Sequence, residues 1–210
     1  MSEQQEESIH SSSVDEVSVQ QYDVDITTRS GDQGMSCLYN GKRFPKSDIH
    51  FEVLGTLDEC NSFIGLSREF MTDSCSLLDS YLENVQCLLF DVCAAVATPL
   101  SQSRERQVNK THFSESHVQE LEKWSYLLDR ELPKQDSFIL PSGGKAASHL
   151  HVSRAICRRA ERSLSMLLQN KDVSTSVYQF VNRLSDFLYI AARYASMKEG
   201  TEPKKWHKCE

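Results

Sequence analysis

The chain has 210 residues, of which 39% are hydrophobic and 25% are charged, a composition typical of an ordinary globular domain. Its formal net charge of -7 argues against binding of nucleic acid or of an anionic membrane, because both need a broad basic surface. No run of residues approaches the ~20 apolar positions of a membrane-spanning helix, and the seven cysteines lack the spacing of a zinc site.

The first segment, residues 1–21, is rich in Ser, Gln and Glu and contains only isolated Val and Ile residues. Such a segment cannot bury enough apolar surface to offset the entropy of ordering, so we predict a disordered tail. Its acidic residues are unlike the basic presequences that direct secretion or mitochondrial import. Between Tyr22 and Pro45, turn-forming glycines and an Asn-Gly pair predict a short irregular segment with extended pieces.

After this segment the chain repeats apolar residues with the period of an α-helix. We predict helices over residues 51–70, 76–97, 114–132, 145–169 and 174–198, with one long loop over 99–113. The apolar positions of the first helix include Val53, Leu57, Ile64 and Phe70. Five such helices with short connections predict an all-α fold, a five-helix bundle that forms one domain over residues 22–200. Residues 201–210 are predicted to be a C-terminal tail.

The fourth predicted helix carries a polar stripe at steps of three and four residues. The stripe consists of His151, Arg154, Arg158 and Glu161, with Arg162 beside it. One interpretation is a solvated helix face with Arg–Glu pairs. The other is a site for an anionic ligand, because the planar guanidinium group contacts phosphate or carboxylate oxygens in pairs.

Two further helices present polar side chains beside their apolar faces. The fifth carries Asn182, Asp186, Tyr189 and Arg193, and the first carries Asp58 and Asn61. Polar groups that face a neighbouring helix need partners, so we expect Asp58 to pair with an arginine of the fourth helix.

The glycine-containing turn at residues 30–34 also has two interpretations. It lacks the lysine and hydroxyl residue of a Walker A loop, so an ordinary turn is one reading. The other is a phosphate site in which backbone N–H groups face phosphate oxygens, with Thr28, Arg29 and Ser36 as flanking donors. The segment Pro141-Ser142-Gly143-Gly144-Lys145 opens a helix whose N-terminus could bind an anion, and a simple helix start is the favoured reading. We find no nucleophile–base pair and no paired Glu-x-x-His motifs of a di-iron bundle.

Six segments together resemble one family. They are Thr28-Arg29-Ser30-Gly31-Asp32-Gln33-Gly34, Pro45-Lys46, Gly55-Thr56-Leu57-Asp58-Glu59-Cys60-Asn61, Ile139-Leu140-Pro141-Ser142-Gly143-Gly144, Cys157-Arg158-Arg159-Ala160-Glu161-Arg162 and Asn182-Arg183-Leu184-Ser185-Asp186. In this order they resemble the ATP:cob(I)alamin adenosyltransferases of the PduO type. The similarity extends over about residues 22–200.

The resemblance implies a five-helix bundle assembled as a homotrimer, with active sites between adjacent subunits. It implies transfer of the 5′-deoxyadenosyl group of ATP to cob(I)alamin, with Mg²⁺ on the triphosphate, and release of triphosphate. The substrate cobalt would be the nucleophile, which agrees with the lack of a protein nucleophile. It also implies delivery of adenosylcobalamin to methylmalonyl-CoA mutase in the mitochondrial matrix, although the acidic N-terminus leaves a cytoplasmic protein open. The alternative function is an ATP-gated cobalamin carrier without turnover.

The resemblance also implies roles for individual residues. The triphosphate would be held by an N-terminal set: Thr28, Arg29, Ser30, Gly31, Asp32, Ser36, Cys37 and the cation Lys46. The nucleotide site would be completed by Arg158, Arg159, Glu161, Arg162 and Asn182. Asp58 would pair with Arg154 near the cobalamin. Ser30 stands where the family usually has Thr, so the hydroxyl group is kept. Cys37 replaces a usual Ser or Thr, and its thiol is the weaker hydrogen-bond donor.

Phe138 matches the aromatic residue that closes the lower face of the corrin ring in the family. By keeping an axial ligand off cobalt, it would make reduction to cobalt(I) easier. Without the resemblance, Phe138 is read as a hydrophobic loop residue packed on the bundle.

Overall fold

A computed structural model describes residues 29–209 of the chain. Its elements in chain order are strands β1 (Met35–Cys37) and β2 (Arg43–Pro45) and helices α1 (Ile49–Arg68), α2 (Ser76–Val96), α3 (Glu105–Lys110), α4 (Ser116–Asp129), α5 (Gly144–Gln169) and α6 (Thr175–Lys198). A single 3₁₀ turn, Asp73–Cys75, precedes α2. The predicted disordered tail and Thr28 lie outside the described residues.

The five long helices pack side by side around one apolar core. Helix α5 lies between α1 and α6, while α2 packs on α1 and α4 packs on α6. Apolar residues that recur at helical spacing in α5 and α6 are buried, among them Leu150, Leu164, Val181 and Leu188, as are Val53, Leu57 and Ile64 of α1. The prediction of an all-α five-helix bundle is therefore confirmed. None of the helices in the described part of the chain is long and apolar enough to cross a membrane.

The start of α5 shows why its segment needs two glycines. Gly143 and Gly144 have φ values of 106° and 92°, in the left-handed region where a side chain is strained. A Cβ on Gly143 would also lie only 2.6 Å from Oγ of Ser196 on α6. The first turn of α5 is therefore able to approach the last turns of α6 because residue 143 lacks a side chain.

Three expectations about the helices need correction. Phe70 is 39% exposed, because α1 ends at Arg68 and the chain turns away from the core. Its ring instead stacks on His149, with 5.1 Å between centroids. Helix α4 begins at Ser116, whose N–H is bound by Oγ of Ser114. The segment predicted as one long loop contains the six-residue helix α3.

A short hairpin precedes the bundle. Strands β1 and β2 pair antiparallel, with Ser36 opposite Phe44. The hairpin is attached to the end of α2, because the N–H of Tyr39 donates to the carbonyl of Ala97 over 2.9 Å. The buried side chain of Leu38 fixes the same connection. This hairpin supplies the extended pieces predicted before Pro45.

The residues predicted as a C-terminal tail return to the bundle. The N–H of Leu140 donates to the carbonyl of Lys204, and the N–H of Trp206 donates to the carbonyl of Phe138, both over 2.8 Å. Residues 201–207 are called the C-terminal segment below. They lie along the loop of residues 130–143 that joins α4 to α5, called the α4–α5 loop.

Candidate active site

The turn before β1 is closed by its own hydrogen bonds. The N–H of Asp32 donates to the carbonyl of Arg29 over 3.3 Å, and that of Gly34 donates to Gly31 over 3.1 Å. These two amides are therefore used within the turn in this arrangement. Arg29 has a φ of 52°, so the chain reverses sharply there. An anion at this turn would therefore need donors other than these two amides.

Lys46 brings its ammonium group directly over Gly31. A Cβ on Gly31 would lie 2.8 Å from Nζ of Lys46 and 3.0 Å from its Cε. The backbone supports this approach, because the N–H of Lys46 donates to the carbonyl of Gly34 over 2.8 Å. The structure thus brings Lys46 to the glycine turn, and its contact with a triphosphate stays a prediction.

Arg43 is a second cation at this turn, and the sequence reasoning missed it. Its Nη2 donates to the carbonyl of Ser30 over 2.7 Å. A hint in the sequence was the position of Arg43 two residues before Pro45. In the structure Arg43 lies in β2, where pairing with Cys37 brings it beside the turn. Arg43 therefore fixes the backbone of a residue assigned to the nucleotide site.

Ser36 and Cys37 cannot serve a ligand in the same way. They are consecutive residues of β1, so their side chains point to opposite faces of the hairpin. Ser36 is half-buried and Cys37 is exposed. A ligand on one face of the hairpin meets only one of the two side chains, and the exposed Asp32 lies in the turn before them.

The polar residues predicted on α5 and α6 meet between the two helices. Nδ2 of Asn182 donates to Oε1 of Glu161 over 2.7 Å. Arg162 Nη1 donates to the carbonyl of Arg158 over 3.0 Å, so these two exposed guanidinium groups lie on one stretch of α5. The structure therefore places Arg158, Glu161, Arg162 and Asn182 in one surface cluster, and their role at a nucleotide stays a prediction.

Arg159 belongs to a different face of α5. Its Nη2 forms an ion pair with the carboxylate of Glu59 on α1, and both side chains are about half exposed, at 45% and 44%. An exposed pair of this kind stabilises by roughly 0–1 kcal/mol. In this arrangement Arg159 connects α1 to α5, whereas Arg158 and Arg162 remain the exposed cations of the cluster.

His151 was predicted on the polar stripe, but it is buried, with 7% of its surface exposed. Its ring lies 6.0 Å from that of Tyr189, and the guanidinium of Arg154 lies over the same tyrosine ring at 5.5 Å. Burial lowers the pKa of His151, and the charge of Arg154 lowers that pKa further. The imidazole is thus favoured in its neutral form, as a packing partner of the Arg154–Tyr189 pair.

Asp58 and Arg154 have different neighbours within the chain. Burial raises the pKa of Cys93 on α2 to about 11, and the nearby charge of Asp58 adds to this shift. Asp58 is therefore on the α2 side of α1, whereas Arg154 faces Tyr189 on α6. Within the described residues of a single chain, the predicted Asp58–Arg154 ion pair is not formed.

Asn61, predicted beside the apolar face of the first helix, has its partner on α2. It is 6% exposed, and its Nδ2 donates to the carbonyl of Gln86 on α2 over 3.4 Å. The side chain of Gln86 returns a hydrogen bond to the carbonyl of Asn61 over 3.2 Å. Asn61 therefore contributes to the contact between α1 and α2.

Phe138 lies on the α4–α5 loop with 77% of its surface exposed. It is not packed on the bundle core, which removes the interpretation based on the residues alone. Its nearest aromatic neighbour is Trp206, at 6.5 Å between centroids and 86° between ring planes. An aromatic ring held this far out of the core can contact a flat apolar ligand.

The side chains gathered at the turn and on α5–α6 are mainly cations and amides, which suit an anionic ligand such as triphosphate. Among residues 29–209, no three His, Cys, Asp or Glu side chains come together as a metal site. Magnesium on the triphosphate oxygens stays a prediction.

The chain matches a known family over most of its length. The model of the cobalamin adenosyltransferase family matches residues 26–195. A corrinoid adenosyltransferase of Mus musculus is 46% identical over 87% of this chain and 77% of its own length. A corrinoid adenosyltransferase of Bacillus subtilis is 34% identical over 83% of this chain and 88% of its own length.

Solved structures agree with the sequence relatives. A single-residue variant of the PduO-type ATP:corrinoid adenosyltransferase from Lactobacillus reuteri, complexed with cobalamin and ATP, superposes with a TM-score of 0.80 at 32% identity. The match covers 87% of this chain and 99% of that one. Another variant of the same enzyme, complexed with ATP, gives a TM-score of 0.78 at 33% identity over 87% of this chain and all of that one. The chain belongs to the cobalamin adenosyltransferase family.

Proposed function

We propose that this corrinoid adenosyltransferase transfers the 5′-deoxyadenosyl group of ATP to cob(I)alamin and releases triphosphate. The observation that carries the proposal is the surface cluster of Arg158, Glu161, Arg162 and Asn182 in a chain of this family. Named corrinoid adenosyltransferases are 34–46% identical to the chain over most of its length. The resemblance assigns these same four residues to the nucleotide.

In this reaction the protein has to position the two substrates and stabilise the charge of the leaving group. Cobalt(I) of the substrate supplies the electron pair that forms the Co–C bond to the 5′-carbon. The bond from this carbon to its phosphate oxygen breaks, and the electron pair leaves with triphosphate. The protein lowers the barrier by holding the two substrates in line and by stabilising the charge on the leaving group. Magnesium bound to the phosphate oxygens would supply further positive charge there.

Charge stabilisation falls to two groups of residues. Arg158 and Arg162 present exposed guanidinium groups on α5, and Asn182 orients Glu161 between α5 and α6. Lys46 holds a third cation over the glycine turn. We place the triphosphate against Lys46 and the turn of residues 30–34, with the nucleotide extending to the α5–α6 cluster.

We further propose that the active enzyme is a homotrimer with its sites between adjacent subunits. Asp58 lies on the α2 side of α1 and Arg154 lies on the α6 side of α5. The absence of an Asp58–Arg154 contact among the described residues of one chain leaves room for a pairing of Asp58 from one subunit with Arg154 from its neighbour. Such a pair would connect cobalamin sites to the subunit interface.

The product is proposed to pass to methylmalonyl-CoA mutase, with the mitochondrial matrix as the compartment. Both proposals rest on the resemblance to the family's animal members. Fractionation of cells that make the protein, together with co-purification with the mutase, tests them. Recovery in the cytoplasm alone would refute the proposed compartment.

Activity is tested directly with magnesium-ATP and chemically reduced cobalamin, mixed with the protein anaerobically and in the dark. We expect the absorption spectrum of adenosylcobalamin together with one triphosphate per product. Binding of both substrates without product would refute the enzyme and support the alternative, an ATP-gated carrier.

The variant Arg158→Ala tests the assigned site. Removal of one group that stabilises transition-state charge typically lowers kcat by about 100- to 1,000-fold. We expect at least the lower of these losses with an unchanged circular-dichroism spectrum, since Arg158 is exposed. Arg130→Ala is the matched control, because Arg130 lies on a tyrosine ring at the end of α4. Full activity of Arg158→Ala would refute this site.

A further inference from the structure

The α4–α5 loop, which carries Phe138, spans a cavity of about 520 Å³. The walls of the cavity are the loop, the end of α6 and the C-terminal segment. Helix α6 holds the first half of the loop, because Arg193 Nη2 donates to the carbonyl of Pro133 and Tyr189 Oη donates to Gln135 Oε1. These two hydrogen bonds do not support the second half of the loop, which carries Phe138.

The C-terminal segment provides that support. Trp206 N–H donates to the carbonyl of Phe138, and Leu140 N–H donates to the carbonyl of Lys204. Lys205 Nζ contacts both carboxylate oxygens of Asp136 at 3.0 and 3.1 Å. The hydrogen bond from Lys205 lowers the pKa of the Asp136 carboxyl group, and one from Ser137 adds to this. Contacts on both sides of Phe138 therefore come from the same segment.

The segment is itself fixed to the helices. Thr201 Oγ1 donates to the carbonyl of Gly143 over 2.7 Å, and Thr201 N–H donates to the carbonyl of Ser196 over 2.9 Å. Gly143 starts α5 and Ser196 belongs to α6. A continuous set of contacts thus connects the ends of α5 and α6 to the backbone of Phe138.

We propose that the C-terminal segment positions Phe138 at the lower face of cobalamin, and that Trp206 is its positioning residue. The inference rests on the proposed function, in which Phe138 faces the corrin ring. In the part of the chain that the structure describes, Trp206 is the one aromatic ring in contact with Phe138. The edge of one ring meets the face of the other, a geometry that restricts rotation of Phe138.

This contact matters because Phe138 is exposed. A surface side chain without a neighbour samples several rotamers, and the loss of this freedom on binding weakens the bound state. Trp206 removes part of that cost before cobalamin arrives. It acts through Phe138 and need not touch the cobalt or the ATP.

The test compares Trp206→Ala with Trp206→Phe by electron paramagnetic resonance of cob(II)alamin bound with ATP. In Trp206→Ala we expect more cobalt that retains an axial ligand, and a kcat lower by about 2- to 10-fold, the effect of one aromatic pair. The KM for ATP should stay within about twofold, because the segment lies away from the glycine turn. Trp206→Phe should restore most of the signal, since it keeps an aromatic edge.

Two control variants separate the possible failures. His207→Ala, next along the chain and exposed, should behave as the unmodified protein. Phe138→Ala should increase axially ligated cobalt more than Trp206→Ala does. If Phe138→Ala has this effect and Trp206→Ala has none, the positioning role is refuted while the proposed function stands. If Phe138→Ala also leaves the cobalt unchanged, its assigned place at the corrin is refuted and this inference with it.

Discussion

At the scale of single residues, the side chain of Lys46 lies directly against the backbone of Gly31 in the candidate site. The Cε and Nζ atoms of Lys46 occupy the space that a side chain at residue 31 would fill. The ammonium group can therefore sit against the backbone of the turn, where a phosphate oxygen would also have to approach. A close approach of this kind requires glycine at residue 31 for reasons of space.

The variant Gly31→Ala tests this fit. The added Cβ would displace the end of the Lys46 side chain. This displacement costs little stability, because the end of a lysine side chain is flexible. We expect the KM for ATP to rise roughly 3- to 10-fold through a weakened charge-assisted contact, with an unchanged KM for cobalamin. Steady-state kinetics with each substrate varied in turn provide the measurement.

Gly55→Ala is the matched control for that variant. Gly55 lies in α1, and nothing lies within 4 Å of its added Cβ. Alanine also favours the helix by up to about 1 kcal/mol, so we expect unaltered kinetics and equal or greater stability. An unchanged KM for ATP in Gly31→Ala would show that Lys46 does not reach the triphosphate from its position here.

The sequence predicted the position of a polar side chain where helical spacing alone determines the face on which it lies. Glu161 and Asn182 were assigned to facing stripes of α5 and α6, and their side chains are hydrogen-bonded. His151 had the same spacing but is buried, because Tyr189 covers it from α6. Spacing predicts the helix face on which a side chain lies. Whether that side chain is exposed to water depends on the residues that the neighbouring helix places against it.

At the scale of elements, α5 depends most strongly on how it begins. Gly143 combines a left-handed backbone with a close approach to α6. In Gly143→Ala we expect the free energy of unfolding to fall by about 2–4 kcal/mol, from backbone strain together with overpacking. Urea unfolding followed by circular dichroism at fixed protein concentration measures this loss.

A second glycine separates the two contributions. Gly41 in the hairpin turn has a φ of 84°, but nothing lies within 4 Å of its added Cβ. Gly41→Ala should therefore show the strain alone, about 1–2 kcal/mol. Equal losses in the two variants would contradict a steric role for Ser196.

Long elements were predicted well and short ones were not. Each of α1, α2, α4, α5 and α6 has enough turns to repeat its apolar residues several times. Helix α3 has six residues and none of them is buried, so it has no apolar pattern to detect. The C-terminal segment was also missed. Its backbone and side-chain contacts with the α4–α5 loop join residues that are far apart in sequence, such as Asp136 and Lys205, and no local pattern encodes them.

At the scale of the whole molecule, the different neighbours of Asp58 and Arg154 within one chain are the feature that bears on assembly. The resemblance gave the pair, but not the side of the bundle on which each partner lies. A charge exchange tests whether the two meet between subunits. In Asp58→Arg we expect activity to fall roughly tenfold or more, because two like charges would face each other.

The double variant with Asp58→Arg and Arg154→Asp should recover part of that activity, since it restores opposite charges. Sedimentation velocity of all three variants reports the oligomeric state alongside the kinetics. A trimer in every variant, with no recovery in the double variant, would contradict the proposed pairing.

The edge contact between Trp206 and Phe138 has an optical consequence. The chain has two tryptophans, and the other, Trp124, is buried in the core with 7% of its surface exposed. Trp206 is 54% exposed, so a dissolved quencher such as acrylamide should quench the fluorescence of Trp206 more strongly than that of Trp124. The protein thus carries a built-in fluorophore beside the residue assigned to the corrin, and a corrinoid docking there would absorb its emission by energy transfer without any added label.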